Sequence, residues 1–267
     1  MVKSSLIIRG AAGRMGRRIL ALACEDALFS VVSAIEHPEH PDLGKDAGTL
    51  AGIEALNVKI SSTFQETADV MIDFSLPEAA ETTIRYCANN SIALVLGTTG
   101  LTKKQFDLLG EAAKKIAIVQ ATNMSLGMNL LFALVGKVAQ SLGPEYDIEI
   151  VEAHHRFKKD APSGSALSLA EAICKETGRT CPDDLTYGRH GKDALRKKGE
   201  IGIHAVRAGD IIGQHTVLYS TLGEAITLSH NAHTRDTFAQ GALRAAAWLA
   251  DKPPGRYHMA DALGLRP

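Results

Sequence analysis

The sequence feature that most constrains the fold is a regular alternation of short apolar runs and helix-like segments in the first half of the chain. Strand-like runs lie at residues 4–10, 29–36, 68–75, 91–100 and 116–123. The segments between them, such as residues 14–26, place apolar side chains on one helical face. Strands that alternate with helices are typical of βαβ units. We therefore predict an α/β protein with an N-terminal Rossmann-like, doubly wound parallel sheet.

The pattern changes after residue 125. A helix is predicted at 125–143, a strand at 146–155 and a helix at 165–178, and a last helix follows at 234–251. Between them, three strand-like runs follow one another at 202–209, 213–221 and 224–232, separated by turn signals. This predicts a smaller α+β domain with a mixed four-stranded sheet. The polar, basic residues 180–200 are expected to form an exposed loop.

The composition of the chain limits which classes of binding partner are expected. The chain has 267 residues, 45% of them hydrophobic, and a formal net charge of -1, so bulk electrostatics favours neither nucleic acid nor an acidic membrane. The four cysteines fit no zinc pattern, and three of them lie in apolar helix-like stretches as expected of buried thiols. The chain shows no signal-peptide core and no run long enough to span a bilayer. We expect a cytoplasmic protein that binds neither nucleic acid nor membrane.

The run "GAAGRMG" is a variant of the dinucleotide-binding fingerprint, with glycines at 10, 13 and 16. Taken alone it is weak, because glycines between a strand and a helix often serve only packing. Here it follows the first strand and opens a helix, whose free N–H groups suit a pyrophosphate. Glu36 ends the second strand 20 residues beyond Gly16, where an acid that binds the adenosine ribose should lie. The alternative is that Glu36 is merely an exposed acid.

The residues around Glu36 bear on the choice of cofactor. A carboxylate repels a 2′-phosphate, and the neighbouring His37 compensates less than an arginine would. Arg14 adds positive charge near the loop. We expect NADH, NADPH or both as cofactor, with a preference for NADH.

Two later strand ends belong to the same edge of the sheet, because ligands of open α/β sheets lie beyond the carboxyl ends of the strands. "GTTG" at 97–100 and "ATNMS" at 121–125 follow strands, and Phe74 in "DFS" ends the strand between. "GTTG" could equally be a plain turn with Thr102 as a helix cap. The pairs Ser75/Glu78 and Thr102/Gln105 both have capping-box spacing.

The stretch "EAHHRFKKDAPSGSA" at 152–166 collects proton carriers and cations just before a predicted helix. Adjacent strand residues face opposite ways, so His154 and His155 converge only if the strand breaks there. Ser163 is a plausible helix cap, and the amides behind it form an anion site. Together these features suit a small dicarboxylate. A solvated basic loop, a metal site and a phosphate or nucleic-acid contact are the alternatives.

These motifs resemble the 4-hydroxy-tetrahydrodipicolinate reductase family, also called dihydrodipicolinate reductases. The family form is roughly E-x-H-H-x-x-K-x-D-x-P-S-G-T-A, and Ser165 replaces the usual threonine. "GAAGRMG", "DFSLPEA", "GTTG", "ATNMSLGMNLL" and "TFAQGALRAAAWL" follow in family order across nearly the whole chain. Several relatives carry arginine at the position of His37, which puts a preference for NADPH in doubt.

The resemblance implies a role for individual residues. His154 is expected to be the catalytic proton donor, assisted by Lys158, and His155, Gly164 and Ser165 are expected to bind substrate. No metal is expected. The expected cofactor-binding residues are Gly10, Ala11, Ala12, Gly13, Arg14, Met15, Gly16, Glu36, His37, Phe74, Gly97, Thr98, Thr99, Ala121, Thr122, Asn123 and Met124.

The resemblance also implies the reaction and the domains. NAD(P)H would reduce 4-hydroxy-tetrahydrodipicolinate, a small cyclic dicarboxylate, to tetrahydrodipicolinate with loss of water, in lysine and diaminopimelate biosynthesis. A dinucleotide-binding domain at 1–125, completed by 236–267, would precede a substrate-binding and oligomerisation domain at 126–235 of a homotetramer. The competing interpretations are another two-domain NAD(P)-dependent dehydrogenase and a non-catalytic, nucleotide-sensing Rossmann protein.

Overall fold

The computed structural model describes residues 3–265, which form two compact units. The first unit comprises the described residues up to Leu126 and those from Arg235 onward, and the second comprises Gly127–Thr234. Residues 1, 2, 266 and 267, which the predicted nucleotide-binding domain includes, lie outside the described residues. None of the helices between residues 3 and 265 has the length and apolar character that a bilayer crossing requires.

The first unit begins with alternating strands and helices, as the sequence predicts. Its elements up to the second unit are β1 Ser4–Arg9, α1 Arg14–Glu25, β2 Phe29–Ile35, α2 Ala47–Ala51, β3 Ile60–Ser61, β4 Val70–Asp73, α3 Ala80–Asn90, β5 Ala93–Leu96, α4 Lys103–Ala112 and β6 Ala117–Gln120.

The second unit carries the longer helices and strands. Its elements are α5 Leu126–Leu142, which starts at the boundary, β7 Asp147–His154, α6 Gly164–Thr177, β8 Leu185–Tyr187, β9 Ile201–Arg207, β10 Gly213–Thr221 and β11 Glu224–Ala232. The chain then returns to the first unit with α7 Asp236–Leu249, β12 Gly255–Tyr257 and α8 Met259–Ala262.

The seven-stranded sheet of the first unit has the order β12-β6-β5-β4-β1-β2-β3, and its strand pairs are parallel. Its central strands β4, β5 and β6 are buried on both faces. Leu6 and Ile8 of β1 pack in the cluster that contains α1 and α7, whereas Ile7 packs in the cluster that contains α3 and α4. Because neighbouring residues of one strand meet different helices, the sheet is covered on both sides. The predicted doubly wound sheet is confirmed.

The sheet of the second unit has the order β11-β10-β7-β9-β8 and is mixed, as predicted. It has five strands rather than four, because β8 adds to β9 in parallel. Its core lies on one face, where α5 and α6 cover β7, β9 and β10 around the fully buried Tyr219.

Residues 180–200 are not the simple exposed loop that composition predicts. Besides β8, this segment carries Arg189, whose guanidinium donates to Glu149 and Glu200, and Arg196, which donates to the carbonyls of Ile148 and Glu200. The thiol interpretation of Cys174 was also wrong, since Cys174 and Cys181 form a disulfide between α6 and this segment. Of the other two cysteines, Cys24 is exposed and Cys87 is buried.

Helix α1 can pack against the loop before it only because position 16 has no side chain. A Cβ atom at Gly16 would lie 2.1 Å from the carbonyl oxygen of Gly10 and 2.6 Å from the Cα of Ala11. Both are backbone atoms, which cannot give way as a flexible side chain would. The close contact of helix and strand therefore requires glycine here.

Replacing Gly16 by alanine should destabilise the protein by about 2 kcal/mol or more, because backbone atoms must separate to admit the methyl group. The matched control is Gly110→Ala in the exposed face of α4, where an added Cβ would meet nothing within 4 Å. That change should stabilise slightly, by about 0.5–1 kcal/mol, since alanine favours helix. Urea unfolding of both variants measures the difference, and equal stabilities would contradict the packing argument.

Candidate active site

The glycine loop of the first unit brings backbone atoms into close contact. Gly10 has a φ of +75°, and a Cβ there would lie 2.7 Å from the carbonyl oxygen of Phe74. Gly13 is the residue before α1 and uses no side-chain cap, which leaves the first amides of the helix directed at the loop. A helix start of this kind, after a glycine loop and without a side-chain cap, is the sort that binds a pyrophosphate.

Glu36 follows β2, and its carboxylate lies against the glycine loop. One oxygen accepts from the N–H of Ala12 at 3.0 Å and the other from the N–H of His37 at 2.9 Å. The predicted acid and the predicted loop therefore adjoin at the carboxyl ends of β1 and β2. The His37 side chain beside it is exposed.

The segments after β5 and β6 lie along the same edge, as predicted. Gly97 packs closely there, and a Cβ at this position would lie 2.5 Å from the ring of Phe74, which would have to move. Thr98 is buried, and its hydroxyl donates to the Asp73 carboxylate at 3.1 Å. Thr98 therefore fixes the turn to the end of β4. Beyond β6, the Asn123 side chain accepts from the N–H of Ser125 at 2.9 Å.

Arg9, which the sequence analysis did not single out, lies in a cavity next to this edge. The cavity measures about 750 Å³, and its lining includes His37, Pro38, Phe64 and Tyr86. Arg9 is 7% exposed, its guanidinium carbon lies 5.1 Å from the centre of the Phe64 ring, and its Nε and Nη1 have no hydrogen-bond partner. Burial lowers the pKa of Arg9, although the carboxylates of Asp73 and Glu36 act against it. Its Nε and Nη1 are shielded from solvent, so Arg9 contributes its charge and flat guanidinium surface to the cavity wall.

In the second unit, His154 is the last residue of β7 and is buried. Its Nδ1 lies 2.6 Å from one carboxylate oxygen of Glu152, which is fully buried two residues earlier on the same face of the strand. The strand ends at His154, so the His155 side chain need not point to the opposite face of the sheet from His154. The His155 side chain is half-buried, with its ring centre 6.3 Å from that of Phe157.

The Glu152 carboxylate is held from several sides. Burial by itself would raise its pKa, but hydrogen bonds from His154, Arg207 and the N–H of Ser163 outweigh burial and lower the pKa to about 2. Glu152 is therefore ionised throughout the physiological range. No residue role for Glu152 or Arg207 followed from the sequence, although the spacing of Glu152 and His154 places both on one face of a strand.

Lys158 lies beyond the strand end. Its ammonium pairs with the Asp160 carboxylate at 2.9 Å, and its side chain is 23% exposed. Although burial acts to raise the pKa of Asp160, the hydrogen bond from Lys158 lowers it. The predicted second acid is therefore half-buried and paired with a carboxylate on the same loop.

Helix α6 starts beside His154. Ser163 caps it, accepting from the N–H of Ala166 at 3.2 Å as predicted, and also lies 3.2 Å from Nε2 of His215. The His215 ring meets the His154 ring edge to face, with centres 5.2 Å apart. Gly164 and Ser165 form the first turn of the helix. The structure thus brings the helix start, the buried histidine and its carboxylate together.

The predicted site residues therefore form two sets. The expected cofactor contacts line the carboxyl edge of the parallel sheet in the first unit, and the expected catalytic and substrate contacts lie at the end of β7 and the start of α6 in the second. Among residues 3–265, no cluster of three or more histidine, cysteine, aspartate or glutamate side chains could hold a metal ion.

Comparison with known proteins matches nearly the whole chain to one family. Residues 4–124 match the model described as dihydrodipicolinate reductase, N-terminus, and residues 127–263 match its C-terminus. The 4-hydroxy-tetrahydrodipicolinate reductase of Anaeromyxobacter dehalogenans is 46% identical over 266 residues, covering 98% of each chain. That of Alkalilimnicola ehrlichii is 46% identical over 263 residues, covering 97% of this chain and 98% of the relative.

Solved structures agree on the fold. A dipicolinate-bound dihydrodipicolinate reductase from Paenisporosarcina superposes with a TM-score of 0.74 at 22% identity, covering 97% of this chain and 99% of that one. An amine dehydrogenase from Mycobacterium smegmatis reaches 0.61 at 14% identity, covering 96% and 95%. At these identities the likeness concerns the fold alone.

His215 should make stability fall at mildly acidic pH. Burial, followed by the neighbouring His154, lowers the pKa of His215 to about 3, whereas a histidine in the unfolded chain titrates near 6.5. Between those values the unfolded chain takes up a proton that the folded protein refuses, which lowers the free energy of unfolding by about 1.4 kcal/mol per pH unit. His215→Gln should lack this slope between pH 6.5 and 5, measured by urea unfolding. Parallel pH dependences would contradict the assignment.

Proposed function

The chain belongs to the dihydrodipicolinate reductase family, and from that membership we propose that it reduces 4-hydroxy-tetrahydrodipicolinate to tetrahydrodipicolinate with loss of water, using NAD(P)H. The reaction is a step of lysine and diaminopimelate biosynthesis. The observation that carries the proposal is the buried Glu152–His154 pair beside the first turn of α6, which joins a proton carrier to an anion site.

The first unit fits a nicotinamide dinucleotide. The glycine loop and the free amides of α1 suit the pyrophosphate, and Glu36 suits the ribose hydroxyls. The cavity lined by Arg9, His37 and Phe64 adjoins Glu36, and its flat guanidinium and aromatic surfaces suit a purine base. The residues after β4, β5 and β6, from Phe74 to Met124, extend the same edge toward the nicotinamide.

We favour NADH over NADPH for this chain. The Glu36 carboxylate is anchored at the loop and would repel a 2′-phosphate there. The exposed His37 next to it offers less compensation than an arginine. The Arg9 charge lies behind Glu36 and is already opposed by the carboxylates of Glu36 and Asp73. A 2′-phosphate would therefore meet little free positive charge.

The second unit fits a small dicarboxylate. The first amides of α6, with Gly164 and Ser165, offer donors and a positive dipole end to one carboxylate. Lys158 and His155 can supply positive charge and hydrogen-bond donors beside it. The dipicolinate named for the Paenisporosarcina structure is a compound of the same charge and size.

The residues divide the chemistry as follows. The bound nicotinamide supplies the hydride, and the protein supplies geometry and protons. Nε2 of His154, the ring nitrogen away from Glu152, donates the proton to carbon, and Lys158 assists as the second acid and keeps the site cationic. Burial of His154 limits competing exchange of its proton with water. Loss of the 4-hydroxyl as water, with a proton from the neighbouring ring carbon, gives the conjugated ring that accepts the hydride at C4, and the proton from His154 restores the hydrogen on that neighbouring carbon.

Assembly and compartment complete the proposal. The sheet face of the second unit opposite its core is open, and Val151 and Val206 on it are 40% and 44% exposed. Such a face suits pairing with another copy, so we propose a homotetramer that forms through this unit and acts in the cytoplasm. In this proposal the first unit, with residues 236–267, binds the nucleotide and residues 126–235 bind the substrate.

Oxidation of the reduced cofactor tests the reaction. With freshly made product of pyruvate and aspartate semialdehyde condensation, the protein should consume NADH, followed by absorbance. His154→Ala and Lys158→Ala should each lower kcat by about 100-fold, since each removes a proton donor. NADH binding, followed by fluorescence titration, should not change. Lys159→Ala, an exposed neighbour, is the matched control. No oxidation with either cofactor by the unmodified protein would reject the proposed function.

Glu36→Gln tests the cofactor preference. Loss of the charged acceptor should weaken NADH by about tenfold, since a hydrogen bond to a charged group contributes roughly 1.5–3 kcal/mol. NADPH, which the carboxylate repels, should lose less or gain. Glu39→Gln, at an exposed acid three residues further on, should change neither dissociation constant. Equal losses for both cofactors in Glu36→Gln would remove the ribose assignment.

A further inference from the structure

One fully buried carboxylate lies at the centre of the proposed proton-donor site. Glu152 is 0% exposed, and its two oxygens receive four close contacts. Nδ1 of His154 lies 2.6 Å from Oε2, the Ser163 N–H donates to Oε1 at 2.9 Å, and Arg207 donates to both oxygens at 2.8 Å each. A charge without solvent is stable only when it is paired this completely.

The contact with His154 fixes the state of the imidazole. An ionised carboxylate can only accept hydrogen bonds, so Nδ1 must carry the hydrogen. Nε2 is then the nitrogen that gains and loses a proton. Gly213 faces it, and a Cβ at that position would lie 3.3 Å from Nε2. The missing side chain leaves space at the atom that must meet the substrate.

The same carboxylate also supports the segment that carries Lys158. Arg207, held by both oxygens of Glu152, donates to the backbone carbonyl of Asp160 at 2.6 Å. The Asp160 side chain in turn pairs with Lys158 at 2.9 Å. One more bond joins Glu152 to Ser163, directly before the helix start at Gly164. Glu152 therefore links the proposed proton donor, the second acid and the substrate helix.

We propose that Glu152 is a positioning residue for the reduction: it holds His154 as the Nδ1–H form with Nε2 directed to the substrate, and through Arg207 it sets the loop that bears Lys158. The proposal rests on the proposed function, and it assigns to Glu152 no contact with substrate or cofactor.

The same strand provides a comparison for a purely structural carboxylate. Glu149 lies three residues before Glu152 and accepts from Arg189 at 2.8 and 3.0 Å, with Nε2 of His204 2.7 Å away. Arg196 also pairs with it, with Nε 3.2 Å from the carboxylate, so Glu149 holds two arginines and one histidine, whereas Glu152 holds one of each. An odd separation along a strand places the two side chains on opposite faces of the sheet. Glu149 contacts none of the residues proposed for catalysis, so it measures what loss of such a carboxylate costs in stability alone.

Glu152→Gln, which keeps the shape and removes the charge, is compared with Glu149→Gln. The Glu152 variant should lose about 100-fold in kcat, the lower range for general-acid catalysis. Its KM for NADH should stay within about twofold, since the nucleotide contacts lie elsewhere, and Glu152→Asp should recover part of kcat. Glu149→Gln should retain kcat. Equal kcat values for the two glutamine variants would overturn the proposal. Absence of turnover by the unmodified protein would instead reject the proposed function.

A second measurement needs neither a Glu152 variant nor turnover. In protein labelled with 15N-histidine, two-dimensional NMR distinguishes the two ring nitrogens and shows which is protonated, and the His154 signals are assigned by their loss in His154→Asn. Nδ1 should remain protonated at every pH at which the protein is folded, while Nε2 is the nitrogen that loses its proton. An unprotonated Nδ1 would overturn the proposal even if Glu152→Gln fails to fold.

Discussion

A charge buried without water must find its partners within the protein, and in the second unit that requirement falls on Glu152. Its carboxylate draws together the end of β7, Arg207 at the end of β9 and the residue that caps α6. Ser163 lies 11 residues from Glu152 in the sequence and Arg207 lies 55 residues away. Burying an ionised carboxylate without partners would lower the free energy of unfolding by several kcal/mol. Glu152 can therefore stay ionised only because His154, Arg207 and Ser163 surround it. The position of the His154 ring follows from this need to pair the carboxylate.

In the first unit the corresponding constraint is steric. Gly10 lies so close to the backbone of Phe74 that position 10 cannot hold a side chain, and a side chain at position 97 would displace the Phe74 ring. The result is an edge built largely of backbone, with Glu36 and Arg9 beside it. Such an edge suits a large ligand whose recognition is spread over many weak contacts. The second unit instead concentrates charge at one point, which suits a small ligand and proton transfer.

The fold was readable from the sequence because its signals are local. Alternating apolar runs predicted strands β1, β2, β4, β5 and β6 but not the two-residue β3, and β10 and β11 have the predicted bounds. The Thr102/Gln105 capping box is present, since both partners lie within one turn. The Ser75/Glu78 box was wrong, because the N–H of Ser75 bonds to the Asp73 carboxylate and the turn at Pro77–Ala79 begins without a side-chain cap.

What the sequence left out depends on contacts between distant residues. Strand β8 has three residues and exists as a strand only through pairing with β9. The sequence predicts that the arginines of residues 180–200 are solvated. In the fold they pair with Glu149 and Glu200. Arg207 likewise gives no local signal, because its partner lies 55 residues earlier. Motif spacing identified His154 and Lys158, whereas the residues that support them required the tertiary structure.

Asp160 and Glu152, the two carboxylates of the site, differ in how easily their cationic partners can leave them. Asp160 is 59% exposed at its side chain, and its pair with Lys158 is of the kind that contributes little in water. A substrate carboxylate could take over Lys158 at small cost, because Asp160 would be rehydrated. Glu152 is fully buried and cannot be rehydrated, so separating it from Arg207 and His154 would cost a large desolvation free energy. The site therefore combines Lys158, a cation that can exchange partners and bind substrate, with Glu152, a carboxylate that stays in place and orients His154. The difference in burial between Asp160 and Glu152 accounts for this division.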